Sequence, residues 1–323
     1  MINKKTLALI WLISFFPGCR ADGLVQEIDK PGLLKLPFAF SRGVREPMEN
    51  TPVLFNSRLL LVANFRPSGD DTIKEKDSYL YIDDLQTGTE IVRFGAAHSF
   101  VSAFVNNSEL NIFALDFSGP GKVWSSNGIN RFVTTDLKNF KIEKVLLPEG
   151  DEFLFNNSVC RDDKGYVMAY ESNKPLAFCF KFARSNDLSK WEKIPALAFT
   201  GIKNQYSACP CIRYFRPYYY VIYLHNKMAG HNGYISFLAR SKNLIDWELT
   251  PFNPILEAGE GEGINNSDVD IIEYGGKTYL YYATGDQATW ATIRVAMYDG
   301  LMQTFYEKHF PEGLTFEKIS TQH

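Results

Sequence analysis

The 323-residue sequence lacks several features that would assign it to a common class of protein. After the first few residues, no apolar run approaches the about 20 residues that a membrane-spanning helix needs. The formal net charge is −3 at pH 7, so the basic excess of a nucleic-acid-binding protein is missing. Long stretches of 3.6-residue hydrophobic periodicity are also missing. We therefore expect no nucleic-acid partner, no spanning helix and no helical bundle.

Cysteine is scarce as well. The sequence contains Cys19, Cys160, Cys179, Cys209 and Cys211. The last four are too few and too scattered for a disulfide-rich scaffold. No His and Cys cluster has the spacing of a zinc site. We interpret Cys209 and Cys211 as small buried residues on a strand. We expect no cofactor. A structural cation in the channel stays open as an alternative, although no motif predicts one.

The N-terminus has the layout of a signal peptide, which we place at residues 1–19. Two lysines precede the apolar run Leu7–Phe16, which is too short to cross a bilayer. Phe16–Cys19 resembles a bacterial lipobox, in which the cysteine becomes the lipidated first residue. We expect export to the periplasm or cell surface. Two alternatives remain for the mature chain. Either Cys19 is lipidated, which is the one membrane contact that we expect, or the chain begins near Asp22 and is soluble.

A recurring turn indicates the architecture. It combines Ser or Thr, Asp or Asn, and Leu with a following aromatic residue, and it occurs at Thr134–Leu137 with Phe140, Ser185–Leu188 with Trp191, and Ser241–Leu244 with Trp247. Asp83–Leu85 and Asp299–Leu301 occupy the corresponding places near the two ends. The five units are roughly 50 to 57 residues long, and each contains a hairpin with turn-forming residues.

An aromatic content of 15% favours strands in these units. We therefore predict an all-β fold, a five-bladed β-propeller of four-stranded antiparallel blades over residues 30–311. The last blade is expected to end in a strand at Gln303–Phe310, and residues 312–323 form a C-terminal tail. Trp191 and Trp247 are predicted to be buried between blades.

The turns Ser185–Trp191 and Ser241–Trp247, and the blade opening at Asp268–Asp270, carry a resemblance to a known group. The sequence resembles the five-bladed propeller glycoside hydrolases, the superfamily that contains families 32, 43, 62, 68 and 130. The resemblance implies a carbohydrate substrate that is hydrolysed in a central funnel. The Glu-Gly-Pro acid motif usual in family 43 is absent, so a catalytic triad is not transferred by motif. Non-catalytic glycan binding and a phosphorylase or lyase activity are the alternatives.

Propeller geometry selects candidate residues without an alignment, because the innermost strand of each blade starts at the funnel mouth. The first ring of positions contains Glu49, His98 or Ser99, Asn156, Ala208 and Asp268. The first and last blades are neighbours when the ring closes. Since glycoside hydrolysis usually needs two carboxylic acids, we predict Glu49 or Asp268 as base or nucleophile and Glu171, which ends a second strand, as the acid.

Other polar residues near the mouth are candidates for substrate binding. They are Asp270, His98, Asn157, Tyr206, Arg213, Asp116 and Asp286. Asp270 has the alternative role of supporting a neighbouring side chain. The Arg213 guanidinium can hold the carboxylate of an acidic sugar, and Tyr206 and Trp124 can stack on a sugar ring. Glu262 is a reserve candidate for the acid.

Overall fold

The computed structural model describes residues 29–40, 48–66, 75–119, 125–176, 178–201, 206–226, 233–286 and 289–320. The predicted signal segment 1–19 with Cys19, and Trp124, lie outside these residues. The strands form five antiparallel sheets, which confirms the predicted all-β propeller. Within the described residues, no helix is long and apolar enough to span a membrane.

The first three blades each use four strands that follow one another along the chain. Blade 1 contains β2 (Asn50–Phe55), β3 (Arg58–Phe65), β4 (Tyr79–Asp84) and β5 (Thr89–Phe94). Blade 2 contains β6 (His98–Asn106), β7 (Glu109–Asp116), β8 (Ile129–Thr134) and β9 (Lys141–Leu146). Blade 3 contains β10 (Leu154–Asp162), β11 (Gly165–Ser172), β12 (Cys179–Ser185) and β13 (Glu192–Phe199).

The last two blades include strands from the chain ends. Blade 4 contains β14 (Ser207–Phe215), β15 (Tyr218–Asn226), β16 (Tyr234–Ser241), β17 (Asp246–Leu249) and β21 (Glu317–Ser320). Blade 5 contains β18 (Asn265–Tyr274), β19 (Lys277–Gly285), β20 (Ala291–Tyr298) and, as its outer strand, β1 (Leu34–Phe40). A short 3-10 turn, Glu75–Asp77, lies between β3 and β4.

The predicted strand at residues 303–310 is wrong. This segment contains the helix α1 (Met302–Lys308), and β1 pairs with β20 in the place where the strand was expected. Met302, Phe305 and Tyr306 are buried on one side of the helix, a spacing that follows the 3.6-residue period. The N-terminal strand therefore closes the ring, and the helix covers apolar side chains of the fourth and fifth blades.

The segment expected to be a tail also adds to the fold. Within residues 312–323, β21 pairs antiparallel with β17, so that Trp247 lies opposite Ile319. The fourth sheet thus has five strands instead of four.

The recurring turns have the structural role that their pattern predicts. In each, the Ser or Thr hydroxyl accepts a 2.9 Å hydrogen bond from the Leu N–H three residues later. These leucines are buried and have φ values of 60° to 66°. Trp247 is fully buried as predicted, whereas Trp191 is only partly buried and meets Phe113 edge to face.

The innermost strands surround the axis in chain order. Each of β2, β6, β10, β14 and β18 contacts the next, and β18 contacts β2. Register shifts interrupt the first few residues of β6, β10, β14 and β18. At three of these bulges a residue has positive φ, namely Phe100, Cys209 and Asp268. Because a bulge changes which side chains face a given side, these irregularities decide what lines the channel.

Candidate active site

Three acidic side chains from three blades are brought together near the axis. Glu49 directly precedes β2, Asp268 lies in the bulge of β18, and Glu171 lies near the end of β11. They are only 5%, 9% and 3% exposed. Glu49 and Asp268 line the same cavity, because ring closure brings the first and last blades together. Glu171 is hydrogen-bonded to Asn156 and Cys209, which lie in the wall of this cavity.

Glu49 is held by groups of its own blade. Asn64 Nδ2 donates a 3.1 Å hydrogen bond to Glu49 Oε2, and the Arg66 guanidinium lies 3.3 Å from Oε1. The guanidinium also lies 4.7 Å from the ring centre of Phe100 in blade 2. Glu49 is therefore a buried carboxylate with a cationic partner.

Asp268 has a backbone conformation that is uncommon for a residue other than glycine. Its φ is +50°, and backbone of this kind in a non-glycine residue is frequent at functional sites. The Ser267 hydroxyl donates a 2.6 Å hydrogen bond to Oδ2. Burial, followed by the nearby Glu49 carboxylate, raises the pKa of Asp268 to about 6. The bulge thus holds a basic carboxylate next to Glu49.

Glu171 accepts two hydrogen bonds at a single oxygen. Asn156 Nδ2 and the Cys209 backbone N–H lie 2.9 Å and 3.0 Å from Oε2. Burial raises the pKa of Glu171 to about 7, the charges of Asp268 and Glu49 add to this, and the two hydrogen bonds oppose it. Near pH 7, protonated and ionised Glu171 therefore coexist.

The space between these side chains is narrow. The cavity lined by Glu49, Asp268 and their neighbours has a volume of about 20 Å³. This is roughly the volume that one water molecule needs, and the carboxyl and amide groups around it are suitable partners for water. The acid cluster therefore has room for a reacting water molecule.

Tyr206 lies beside the acid cluster, and stacking of its ring on a sugar stays a prediction. Its ring packs against Phe178 and Tyr234 with centroid separations of 5.2 Å and 5.5 Å. Burial raises the pKa of Tyr206, and the charge of Glu171 is the next largest cause. An aromatic wall thus borders the carboxyl groups on the side of blades 3 and 4.

Asp270 and Asn157 line the cavity, but their hydrogen bonds join neighbouring blades. Asp270 accepts from Thr51 Oγ1 at 2.8 Å and from the Arg213 guanidinium. Asn157 accepts from Ser102 at 2.6 Å and donates to the Phe100 carbonyl. The geometry favours the supporting role for Asp270, and substrate contact by either residue stays a prediction.

Arg213 directs its nitrogens at the protein. Besides Asp270, it donates to the Ile212 and Ile271 carbonyl oxygens at 2.8 Å and 3.0 Å. Its side chain helps to fix blade 4 against blade 5. The predicted contact to the carboxylate of an acidic sugar receives no support from this arrangement.

His98 and Asp116 were expected at the cavity, and the structure places them elsewhere. The two His98 ring nitrogens contact the Ala96 carbonyl at 2.8 Å and Asn130 Nδ2 at 2.9 Å. Asp116, its partner across the β6–β7 pair, accepts from Ser118. The bulge after Ser99 is the physical reason, since it brings Ser102 to the cavity instead of His98.

Asp286 and Glu262 also lie outside the lining of the acid cavity. Asp286 caps a turn by accepting from the N–H groups of Thr289 and Trp290 at 2.7 Å and 3.0 Å. Glu262 pairs with Lys35 of β1 and accepts from Tyr282 at 2.7 Å. Burial disfavours its charge, yet these partners lower the pKa of Glu262. Its contacts are those of a structural anchor and do not favour the reserve role as acid.

Cys209 is the site residue that the sequence interpretation missed. It was expected to be a small buried residue, yet it is half-buried and lines the acid cavity. The strand-start rule, by which the first residues of each innermost strand line the funnel, selected its neighbour Ala208, and the bulge moves the lining position by one residue. The bulge becomes apparent only in the folded chain, so the sequence pattern carried no signal that would have selected Cys209. In the described part of the chain, no group of three or more His, Cys, Asp or Glu residues is arranged to hold a metal ion.

Comparisons with known proteins agree with the fold. A solved structure described as a glycoside hydrolase superposes with a TM-score of 0.64 at 11% identity, covering 83% of this chain and 93% of the other. A thermostable family-43 glycoside hydrolase has a TM-score of 0.62 at 14% identity, with coverages of 90% and 97%. The β-1,2-mannobiose phosphorylase from Listeria innocua has a TM-score of 0.57 at 13% identity, with coverages of 85% and 98%.

At the level of sequence, no protein-family model and no curated protein matches the chain. The similarity is thus one of three-dimensional structure, and it extends over most of the chain in each comparison. The chain has a five-bladed β-propeller fold that is similar to the folds of these solved structures.

Proposed function

We propose that this protein is a glycosidase that hydrolyses glycosidic bonds of a poly- or oligosaccharide bound next to the acid cavity. The observation that carries the proposal is the convergence of Glu49, Glu171 and Asp268, three buried carboxyl groups from three blades. Glycoside hydrolysis usually needs one carboxylic acid that donates a proton and one carboxylate that either activates water or is itself the nucleophile. Fold similarity raises the expectation but does not by itself establish the activity.

Glu171 is the proposed general acid. A general acid works best when its pKa lies near the working pH, and burial raises the pKa of Glu171 to about 7. The hydrogen bonds from Asn156 and Cys209 both go to Oε2. The other oxygen, Oε1, can therefore carry the proton toward the departing sugar oxygen.

Asp268 is the proposed base, and Glu49 supports it. The Glu49 carboxylate contributes to raising the pKa of Asp268, which makes Asp268 a stronger base. Arg66 and Asn64 contact the two oxygens of Glu49, so this group is restrained, whereas the Asp268 carboxylate accepts a hydrogen bond from the Ser267 hydroxyl. A water molecule in the narrow space beside Asp268 is the proposed nucleophile.

Phosphorolysis is the second candidate, and the neighbour from Listeria innocua is named for it. A phosphate co-substrate needs a cluster of cationic groups beside the acid. Arg66 is close to the acids but is paired with Glu49, and Arg213 is directed at Asp270. The convergence of the acids also disfavours a purely glycan-binding role. Hydrolysis is therefore the function that the geometry supports best.

The experiment is a screen of aryl glycosides and plant or algal oligosaccharides, with and without phosphate. We expect the parent protein to release free sugar in both conditions. We expect the rate of hydrolysis by Glu171→Gln and by Asp268→Asn to be about 10²- to 10⁴-fold lower than that of the parent. Glu192→Gln on the exposed face of β13 is the matched control and should keep full activity. Sugar phosphate as the product would indicate phosphorolysis, and full activity of both amide variants would remove these acids from the mechanism.

A further inference from the structure

Asn50 lies beside the acid cluster and uses only part of its side-chain amide. It directly follows Glu49, begins β2, lines the acid cavity and is 4% exposed. Its Nδ2 group donates to the Met48 carbonyl oxygen at 3.1 Å and to the Asp268 carbonyl oxygen at 3.2 Å. Its Oδ1 atom is buried and has no hydrogen-bond partner among the described residues. Buried acceptors in folded proteins are nearly always paired, so this oxygen needs an explanation.

The two hydrogen bonds of Nδ2 fix the orientation of the Asn50 amide. An amide nitrogen has two hydrogens to donate, and the carbonyl oxygens of Met48 and Asp268 accept one each. Turning the amide by half a rotation would place Oδ1 against these two carbonyl oxygens, which have no hydrogen to give. Oδ1 is therefore the side-chain atom of Asn50 that still has capacity for a hydrogen bond, and its partner must be a donor.

Asn157 holds in blade 3 the register position that Asn50 holds in blade 1. Each asparagine donates at 3.2 Å to the carbonyl oxygen of a positive-φ bulge residue in the preceding blade. This residue is Phe100 for Asn157 and Asp268 for Asn50. The two asparagines are thus equivalent on the donor side of their amides.

On the acceptor side the two asparagines differ, because a different residue follows each bulge. In blade 2 this residue is Ser102, whose hydroxyl donates to Asn157 Oδ1 at 2.6 Å. In blade 5 it is Asp270, whose carboxylate accepts from Thr51 Oγ1 at 2.8 Å and offers no hydrogen. The change from a donor to an acceptor explains why Asn50 Oδ1 has no partner in the described part of the chain.

We propose that Asn50 is a catalytic residue whose Oδ1 accepts a hydrogen bond from the reacting water molecule. The acid cavity has a volume of about 20 Å³, and this is roughly the space that a single water molecule needs. A water molecule that donates to Asn50 Oδ1 in this cavity is therefore the one beside Asp268. The inference rests on the proposed function for its catalytic meaning.

In this arrangement the water molecule donates one hydrogen to Asn50 and the other to Asp268, so its oxygen is free to attack. The oxygen forms a bond to the anomeric carbon while the bond to the departing sugar oxygen breaks. Asp268 takes one hydrogen as a proton, the other stays on the new hydroxyl group, and Glu171 supplies a proton to the departing oxygen. Fixing both hydrogens orients the water before the reaction, which lowers the entropic part of the barrier.

The first test is a high-resolution crystal structure of the parent protein without substrate. We expect an ordered water molecule about 3 Å from Asn50 Oδ1 and from a carboxyl oxygen of Asp268. Asn50→Ala should lose this water and keep Asp268 in place. A parent structure without water at Oδ1 would overturn the proposal, and so would a displaced Asp268 in the variant, because Asn50 would then only position Asp268. If Asn50→Ala does not fold, the parent structure decides.

The kinetic test compares an unactivated oligosaccharide with a dinitrophenyl glycoside of the same sugar. Both substrates need an attacking water molecule, so kcat of Asn50→Ala should fall by about 10²-fold on each, with little change in KM. Asn253→Ala is the matched control and should keep the parent kcat, because the Asn253 amide bonds both backbone groups of Leu238, away from the acid cavity.

Two kinetic outcomes would contradict the role of Asn50. They are an unchanged kcat of Asn50→Ala, and a loss confined to the unactivated substrate, which would place the effect at the departing oxygen. Absence of any hydrolysis by the parent protein would instead refute the proposed function and leave the crystallographic result on the water site standing.

Discussion

At the scale of single residues, the three acids differ in their hydrogen-bond donors, and this difference separates their chemistry. Glu49 has a guanidinium partner, Asp268 has a hydroxyl, and Glu171 has an amide and a backbone N–H. Carboxyl groups in different surroundings acquire different pKa values, which is how enzymes obtain an acid and a base from the same functional group.

We predict that kcat/KM is highest between about pH 6 and pH 7. Below this range Asp268, whose pKa burial and Glu49 raise to about 6, gains a proton and no longer acts as a base. Above it Glu171, whose pKa burial raises to about 7, loses the proton that it must donate. A pH profile of kcat/KM from about pH 4 to pH 9 checks this.

Glu49→Gln provides the internal control for these assignments. Removing the Glu49 charge lowers the pKa of Asp268, so the acidic limb should move to lower pH. The alkaline limb should move less, because the Glu49 charge affects the pKa of Glu171 less than burial and the Asp268 charge do. An acidic limb that stays in place would show that Asp268 is not the group that titrates there.

At the scale of elements, the most consequential strand is the one that closes the ring. Lys35 of β1 contacts the Glu262 carboxylate and the Glu257 carbonyl, which lie between β17 and β18, and Asn266 Oδ1 in β18. The Glu262 side chain is 4% exposed, whereas that of Lys35 is 32% exposed. Removing the lysine leaves a buried carboxylate without its cation, which is costly.

We predict that Lys35→Met lowers the free energy of unfolding by about 1–3 kcal/mol, less than for a fully buried pair because Lys35 is partly in solvent. Urea unfolding of the parent and the variant measures the difference. Lys277→Met, which removes an exposed ion pair with Asp299, is the matched control and should change stability little. Equal effects of the two substitutions would contradict an anchoring role for Lys35.

The strands and turns were largely predictable from the sequence, and the chain ends were not. The Ser–Leu–Trp turns repeat because one hydroxyl and one positive-φ leucine satisfy the same local geometry in several blades. The segment 303–310 was assigned to a strand by analogy with the other units, although Met302, Phe305 and Tyr306 have helical spacing. The pairing of β1 with β20 has no local signal, because its partner lies about 260 residues away in sequence.

At the scale of the whole molecule, closure of the ring explains why residues from the first and last blades share a site. The strand-start rule correctly indicated that Glu49 and Asp268 approach each other, because it needs only the order of the blades. The rule could not select Cys209 or exclude His98. A bulge of a single residue changes the facing side chains and leaves little trace in composition.

We predict that the mature chain begins at Cys19 and carries lipid. The apolar run followed by a lipobox-like sequence is the reason. Mass spectrometry of the membrane fraction should detect a diacylglyceryl adduct on Cys19, and Cys19→Ala should release the protein from that fraction. A soluble mature chain that begins near Asp22 would contradict lipidation and leave export intact.

The central claim, that Glu171 donates a proton to a departing sugar oxygen, is tested most directly by changing the leaving group. Glu171→Gln should lose about 10² to 10⁴ in kcat/KM on an unactivated oligosaccharide, which needs proton donation. On a dinitrophenyl glycoside of the same sugar, whose leaving group departs as an anion, the loss should be far smaller. Equal losses on the two substrates would contradict the account, because Glu171 would then not be the acid.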